Sequence, residues 1–236
     1  MCGIILTSSL SKKTMQIMKR MNYVWLLCLL FCSVSVAKAQ MLKVESGMSF
    51  SKLRTTGLEN GQLFNKSVKP FQGSIGIEYW NKKYFYLSSS VGYIRMGGNE
   101  EVYQYDGPDP TNASFVDHKY FIDYLTINTL FNLKRSVHRF TYYLGVGPRI
   151  DVKMGMKETG IGSMEYVDGQ HPEVNSVVLG LKCELGVWYA LDNRFRLGAN
   201  LGYLPSFTKA WTSPVISDIK MTTQAFTLGL TLGYVL

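Results

Sequence analysis

The closing stretch of the chain, AFTLGLTLGYVL (Ala225–Leu236), alternates large apolar residues with small or polar ones. Successive side chains of a β-strand point to opposite faces, so this pattern predicts a strand with one continuously apolar face. Phe226, Leu228, Leu230 and Leu232 share that face, and the opposite face is small and partly polar. A soluble barrel would turn its apolar face inward and its charges outward. The pattern is instead typical of a strand whose apolar face contacts lipid.

The same alternation recurs in seven earlier stretches, so the sequence predicts eight strands. Each is about as long as a tilted strand needs to cross a bilayer, roughly 9–11 residues plus overhang. No stretch has a helical period or enough apolar length to span as a helix. We therefore predict an all-β, eight-stranded, antiparallel up-and-down transmembrane β-barrel. The predicted strands are Met41–Leu53, Lys69–Trp80, Tyr84–Met96, His118–Leu133, Phe140–Met154, Asn175–Ala190, Arg194–Leu204 and Met221–Leu236.

The connections between these strands alternate strictly between short and long. In outer-membrane barrels the periplasmic turns are short and the outside loops are long, so the alternation predicts that kind of barrel. An even number of strands then places both termini in the periplasm. The predicted short turns are 81–83, 134–139 and 191–193, and the predicted long loops are 54–68, 97–117, 155–174 and 205–220.

The first 39 residues have the features of a cleavable signal peptide. Basic residues precede the apolar run Val24–Val36, and an A-x-A site places cleavage between Ala39 and Gln40. The run is shorter than the roughly 20 apolar residues of a spanning helix. Residues 1–17 precede the basic segment and fit an over-extended gene start. We predict a signal peptide over 1–39 and one barrel domain over 40–236.

The charge and cysteine content of the predicted barrel domain excludes several classes of protein. The leader holds five of the 25 basic residues and none of the 17 acidic ones, which leaves the domain with a net charge of +3. Nucleic-acid binding would need a strongly basic face, so no nucleic-acid partner is predicted. Cys183 is the one cysteine of the domain, so an intramolecular disulfide is impossible.

The two faces of the predicted strands differ in charge. The apolar face carries no charge through the middle of any strand, where each Lys or Arg would cost about 2–4 kcal/mol in lipid. The other face carries charges among glycines, and an eight-stranded barrel has a lumen just wide enough for side chains to fill. A buried charge needs a partner, so we predict a structural charge network in the lumen. Its members are Lys43, Glu45, Glu78, Arg149, Asp151, Lys153, Lys182, Glu184 and Arg196.

Aromatic residues collect near the predicted strand ends, where belts would mark the two membrane–water boundaries. At the turn side we place Tyr79, Trp80, Tyr84, Trp188, Tyr189 and Tyr234, and at the loop side Phe50, Phe71, Tyr93 and Tyr203.

Four motifs, spread over the domain, together resemble the PorT-like outer-membrane β-barrel family. They are the opening strand LKVESGMSFSKL (Leu42–Leu53), the mid-chain DYLTI (Asp123–Ile127), the strand YLGVGP (Tyr143–Pro148) and the closing strand from Leu228 to Leu236. The chain departs from the family pattern at Asn128, where the family has Pro, and at Leu236, where it has Phe.

The resemblance implies a barrel in the outer membrane of a Gram-negative bacterium. It also implies outer-membrane lipids and the barrel-insertion machinery as partners, and a role in protein secretion for some members. It implies no catalytic residues and no cofactor. We therefore expect a non-enzymatic barrel with a structural or interaction role in the envelope; the resemblance to some members extends this expectation to an accessory of a protein-secretion system.

Two other functions stay open at the level of sequence. A surface enzyme acting on lipid would need a histidine beside a serine and a carboxylate, and no known nucleophile motif is present. The residues available to it are His118, His171, Ser163, Ser176, Glu173 and Asp117. A narrow small-solute channel is disfavoured because eight strands leave a filled interior.

Overall fold

An antiparallel sheet closes on itself to form the body of the molecule, seen in a computed structural model that describes residues 39–56, 66–105, 113–159, 173–212 and 220–236. Eight long strands build the wall, and the described residues contribute two further strands of two residues each. The strands are β1 Ala39–Thr56, β2 Phe71–Tyr79, β3 Phe85–Tyr105, β4 Ala113–Val137, β5 Phe140–Thr159, β6 Glu173–Val174, β7 Val177–Ala190, β8 Phe195–Pro205, β9 Trp211–Thr212 and β10 Lys220–Val235.

The first and last strands join to close the ring. β1 pairs with β10 in antiparallel register from Met41↔Val235 to Thr56↔Lys220, and β1 also neighbours β2. Beyond the last pair, the Leu236 N–H donates to the Gln40 carbonyl at 3.0 Å. The long strands follow one another around the ring in chain order, so the predicted eight-stranded antiparallel barrel is confirmed.

The start of β1, the end of β10 and the short turns lie at one end of the barrel, here called the turn end. The turn after β2 hydrogen-bonds to the start of β1, because the Gln40 amide oxygen accepts from the Asn81 N–H at 3.1 Å. In the turn before β8, the Asp192 carboxylate accepts from the N–H groups of Arg194 and Phe195, at 2.7 and 2.6 Å. These side-chain bonds replace the backbone partners that a tight turn leaves unsatisfied. The long connections leave from the opposite end, the loop end.

The β3–β4 hairpin is longer than the sequence indicates. Residues 97–117 are predicted to form a loop, but Gly97–Tyr105 pairs with Ala113–Phe121 residue by residue. This prediction is wrong because apolar alternation is required only where one face contacts lipid. Beyond the membrane both faces of a hairpin meet water, so its polar sequence carries no alternation.

The outward face of the wall is apolar from one end of the band to the other. Its most exposed large side chains include Leu230, Ile75 and Leu201, at 66, 60 and 57% exposure. The described residues contain no helix long and apolar enough to cross a membrane. Of the predicted signal peptide, only Ala39 is described, as the first residue of β1; residues 1–38 lie outside the described part of the chain.

Candidate functional site

The inward side chains of β7 show how the lumen is organised along the barrel axis. From the turn end they run Trp188, Glu184, Lys182 and Val178, and all four are buried. Gly186 separates the aromatic residue from the acidic one. The lumen therefore has an aromatic region at the turn end, a charged layer in the middle and an apolar region at the loop end.

Lys182 is the centre of the charged layer. Its Nζ lies 2.6 Å from a Glu184 carboxylate oxygen and 3.9 Å from a Glu45 carboxylate oxygen. The Tyr143 hydroxyl donates to the other Glu184 oxygen at 2.9 Å, and the Gln72 amide donates to Glu45 at 3.3 Å. One ammonium thus bridges two carboxylates from different strands, and neutral donors occupy their remaining acceptors. Pairing and hydrogen bonding lower the free-energy cost of burying these charges.

A second pair lies nearer the loop end. Arg149 Nε is 3.0 Å from Asp151 Oδ2, and both side chains are fully buried. Arg149 Nη2 also donates to the Ser206 hydroxyl at 2.9 Å, and that hydroxyl is 2.7 Å from the Thr223 hydroxyl. The pair therefore connects the wall to the connection that follows β8.

The remaining residues of the predicted charge network differ in burial and in position along the barrel axis. Glu78 and Lys43 are buried in the lumen, and Lys43 leans across Gly76, whose Cβ position would be 3.1 Å from Lys43 Cε. Arg196 is half-buried near the turn end. Lys153 is half-buried, and its Nζ donates to the Val174 carbonyl at 3.2 Å; its pairing with a lumen carboxylate stays a prediction. Lys153 lies at the loop end of β5, where that carbonyl is the available acceptor.

A turn-end plug, missed by the sequence analysis, closes the lumen below the charged layer. It consists of Met41, Tyr86, Tyr143 and Trp188, each no more than 5% exposed. The Tyr143 ring stacks on Trp188 at a centroid distance of 6.4 Å and meets Tyr86 edge-on at 6.1 Å. The placement of Trp188 in the outer aromatic belt is therefore wrong. Trp188 lies an even number of residues from Glu184 and Lys182 along β7, so it is on the same, inward face of the strand. This spacing could have predicted its position from the sequence.

A loop-end plug of apolar side chains closes the other mouth. It includes residues from the connections as well as from the wall. Two backbone hydrogen bonds hold the connection residue Ala210 in place: its N–H donates to the Met221 carbonyl at 2.8 Å, and its carbonyl accepts from the Asn175 N–H at 3.0 Å. Its members are Leu53, Ile94, Met96, Tyr120, Ile122, Tyr124, Val174, Val178, Leu204, Ala210, Met221 and Ala225. Val174 and Ala210 belong to stretches that the sequence predicts as long loops, 155–174 and 205–220.

A small cavity lies between the two plugs. A cavity of about 20 Å³ lies beside the charged layer, with Glu45, Gln72, Thr126, Asn128 and Lys182 among its lining residues. That volume holds about one water molecule. A solute larger than water has no room in it.

The candidate residues of the lipid-enzyme alternative do not form a cluster within the described part of the chain. His118 is buried on β4, and Asp117 and Ser176 are exposed at the loop end. His138 lies in the turn between β4 and β5, at the turn end. Ser163 and His171 lie outside the described residues, as does the side chain of Glu173. In the described part of the chain, no three His, Cys, Asp or Glu side chains converge as a metal site requires.

The closed ring, the lipid-compatible wall and the filled lumen agree with a match to a protein-family model. The model is described as the outer membrane protein beta-barrel domain, and it matches residues 39–211. The chain belongs to this family. It is therefore an integral β-barrel protein of the bacterial outer membrane.

Several solved structures are similar to this outer-membrane barrel. OprG from Pseudomonas aeruginosa is 15% identical with a TM-score of 0.49, and the alignment covers 84% of this chain and 96% of that one. Neisserial surface protein A is 16% identical, with a TM-score of 0.43 and coverage of 83 and 97%. The outer membrane enzyme PagL is 10% identical, with a TM-score of 0.31 and coverage of 80 and 97%. No curated protein matches the sequence.

Proposed function

We propose that this barrel is a non-enzymatic, non-conducting protein that stabilises the envelope or binds other molecules through its loop-end surface. The observation that carries the proposal is the closed lumen, in which a paired charge layer lies between the turn-end plug and the loop-end plug. With a closed lumen and no catalytic cluster among the described residues, the outer surfaces are left for function.

Conductance in planar bilayers tests this proposal against the channel alternative. Because both ends of the lumen are plugged and the cavity beside the charged layer holds about one water molecule, we expect no stable single-channel steps from the purified, folded protein. Steps of constant size would contradict the proposal. The variant Trp188→Ala removes the largest side chain of the turn-end plug and is the informative comparison, because a leak confined to it would identify the plug as the barrier.

The enzyme alternative is tested by two substitutions. His118 is 7% exposed on the inward side of β4, which is a poor position for acting on lipid. We expect the lipid profile of outer-membrane fractions to be unchanged by His118→Ala combined with His171→Ala. A lipid species that changes in this double variant, and not in His138→Ala, would support the enzyme.

The proposed orientation places both termini and the short turns in the periplasm and the long connections outside the cell. Its support is the alternation of turn lengths, which the barrel family of the outer membrane shares. In a Cys183→Ser background, a membrane-impermeant maleimide applied to whole cells should label Phe207→Cys at the loop end and spare Asn193→Cys at the turn end. The reverse pattern would invert the orientation.

We further propose that the chain is a PorT-like member of its family and an accessory of protein secretion. Its support is the resemblance of the opening, middle and closing strands, including Gly147 and Pro148. In the structure these two residues occupy a gap in the β4–β5 ladder between the pairs Asn128↔Arg149 and Phe131↔Val146. Deleting the gene should reduce the proteins that reach the culture medium. An unchanged set of secreted proteins would contradict the secretion role and leave the structural role standing.

A further inference from the structure

Three exposed basic side chains lie on the outer wall just beyond the apolar band. Lys52 and Arg54 follow Phe50 on the same face of β1, at the loop end. Lys69 lies opposite Phe50, because the Ser49 N–H donates to the Pro70 carbonyl and the Ser51 N–H to the Val68 carbonyl. The Lys69 ammonium is 6.0 Å from the centroid of the Phe50 ring. We call Lys52, Arg54 and Lys69 the wall cation patch.

The charge of the wall cation patch is uncompensated by the described residues. No described carboxylate oxygen lies within 4 Å of any of its three side chains, whereas the neighbouring cation Arg95 forms a salt bridge to Asp123 at 2.6 Å. Among the described residues, the patch is therefore a net positive region on the wall.

The patch occupies one sector of the barrel. At the loop end of β7 and β8, on another part of the wall, the described exposed side chains are uncharged: Asn175, Ser176, Val177, Leu179 at 46% and Phe207 at 64% exposure. The three cations of the patch are therefore grouped on the β1–β2 sector, next to an apolar wall.

We propose that the wall cation patch binds the phosphate groups of membrane-lipid headgroups in the leaflet at the loop end. Phe50, beneath the patch, marks the outer limit of the apolar band, and lipid phosphates lie directly beyond the hydrocarbon. Lysine and arginine stems can lie along apolar wall while their charged ends reach that level. A soluble partner would approach from the mouth of the barrel, whereas these side chains are on the lipid-facing side of the wall. The proposal holds whichever leaflet the loop end occupies, so it stands apart from the proposed orientation and function.

The test is lipid retention by the purified full-length barrel in native mass spectrometry. The probes are dioleoyl phosphatidic acid and dioleoyl phosphatidylcholine, which share acyl chains and differ in headgroup charge. The test variant is Lys52→Gln/Arg54→Gln/Lys69→Gln. The control is Lys82→Gln/Lys83→Gln/Arg135→Gln, which removes the same charge from exposed positions at the turn end. Faster gel migration of each unheated variant verifies that it is folded.

We expect the test variant to retain phosphatidic acid about a hundredfold less than the native protein does, because each of the three surface cations contributes about a fivefold factor to such binding. The control variant should retain it at close to the native level, and retention of phosphatidylcholine should not change. An equal loss in both variants would overturn the proposal, since total charge would then govern binding. Displacement of phosphatidic acid by millimolar inorganic phosphate would also overturn it, by assigning the patch to a soluble anion.

Discussion

Lys182 shows what a single buried cation contributes to this barrel. It lies between the carboxylates of Glu184 and Glu45, and neither carboxylate is more than 5% exposed. Because burial removes water from both charges, a buried ion pair stabilises the fold little more than apolar packing would. A buried charge without a partner, however, destabilises the fold strongly. The role of Lys182 is therefore to make the two acidic residues tolerable inside the lumen.

Replacing Lys182 with Met should lower the free energy of unfolding by about 3–5 kcal/mol, because two buried carboxylates lose their counter-ion. Urea unfolding in lipid vesicles, followed by tryptophan fluorescence, measures the change. Lys157→Met is the matched control, since Lys157 is exposed on the outer part of β5 and should change stability by less than about 0.5 kcal/mol. An equal decrease in the free energy of unfolding of the two variants would show that the Lys182 ion pairs do not stabilise the barrel.

Glycines opposite large side chains explain how the turn-end plug fits inside a narrow ring. A Cβ on Gly198 would lie 2.7 Å from the Trp188 ring, and one on Gly186 would lie 2.4 Å from the Tyr143 ring. Each glycine therefore provides space for an aromatic ring from the next strand. The sequence shows that these glycines face inward, but the identity of the ring that fills each space depends on register between strands.

In the turn between β4 and β5, the backbone conformation of His138 is sterically unfavourable. His138 has a φ of 54°, the left-handed region that glycine enters without a steric penalty. We expect His138→Gly to raise the free energy of unfolding by about 0.5–1 kcal/mol, since the steric cost of a Cβ there is removed. Arg139→Gly, in the same turn but outside that region, should lower it. The urea titration used for Lys182 measures both, and stabilisation of the two variants alike would contradict the conformational explanation.

The turn between β7 and β8 makes stability depend on pH. Backbone N–H bonds from Phe195 and Arg194 to the Asp192 carboxylate hold its pKa below the ordinary value of 3.8. A lowered folded-state pKa means that the stabilisation is present above pH 3.8 and is lost as the pH falls through the lower value. Protonation then weakens the acceptor that closes the turn.

The thermal unfolding midpoint of Asp192→Asn should accordingly be lower than that of the native protein at pH 7. The difference should shrink as the pH falls below 3.8, because the native carboxylate then gains a proton as well. Asn193→Ala, in the same turn, should shift the midpoint by the same amount throughout this range. A constant difference for Asp192→Asn across this range would show that its charge has no part in closing the turn.

The strands also mark the limit of what alternation predicts. Within the membrane, lipid on one side and a packed lumen on the other force a period of two, so β1, β7 and β10 are predicted well. Outside it, Asn99 and Glu100 continue β3 with no such constraint. Hydrogen bonding to β4 decides their conformation, and no local pattern of residues reports that pairing.

For the whole molecule, closure of the ring has a direct consequence on gels. A closed barrel leaves no free sheet edge and resists unfolding by detergent at room temperature. We expect the unheated protein to migrate faster than the boiled protein, because the folded barrel is compact and binds less detergent. Identical mobility in the two states would contradict a closed barrel. A variant with β10 deleted cannot pair with β1 and should lose the fast-migrating form.

The sequence by itself determined that lipid surrounds the apolar face, that eight long strands build the wall, and that charged residues such as Lys182 and Glu184 lie on the opposite face. These properties depend on alternation along single strands, which local side-chain order records. Only the tertiary structure decided that Lys182 joins Glu184 to Glu45, that Trp188 fills the turn end, and that connection residues such as Ala210 close the opposite mouth. Those contacts depend on strand register and on the path of the connections, which bring together residues far apart in the chain.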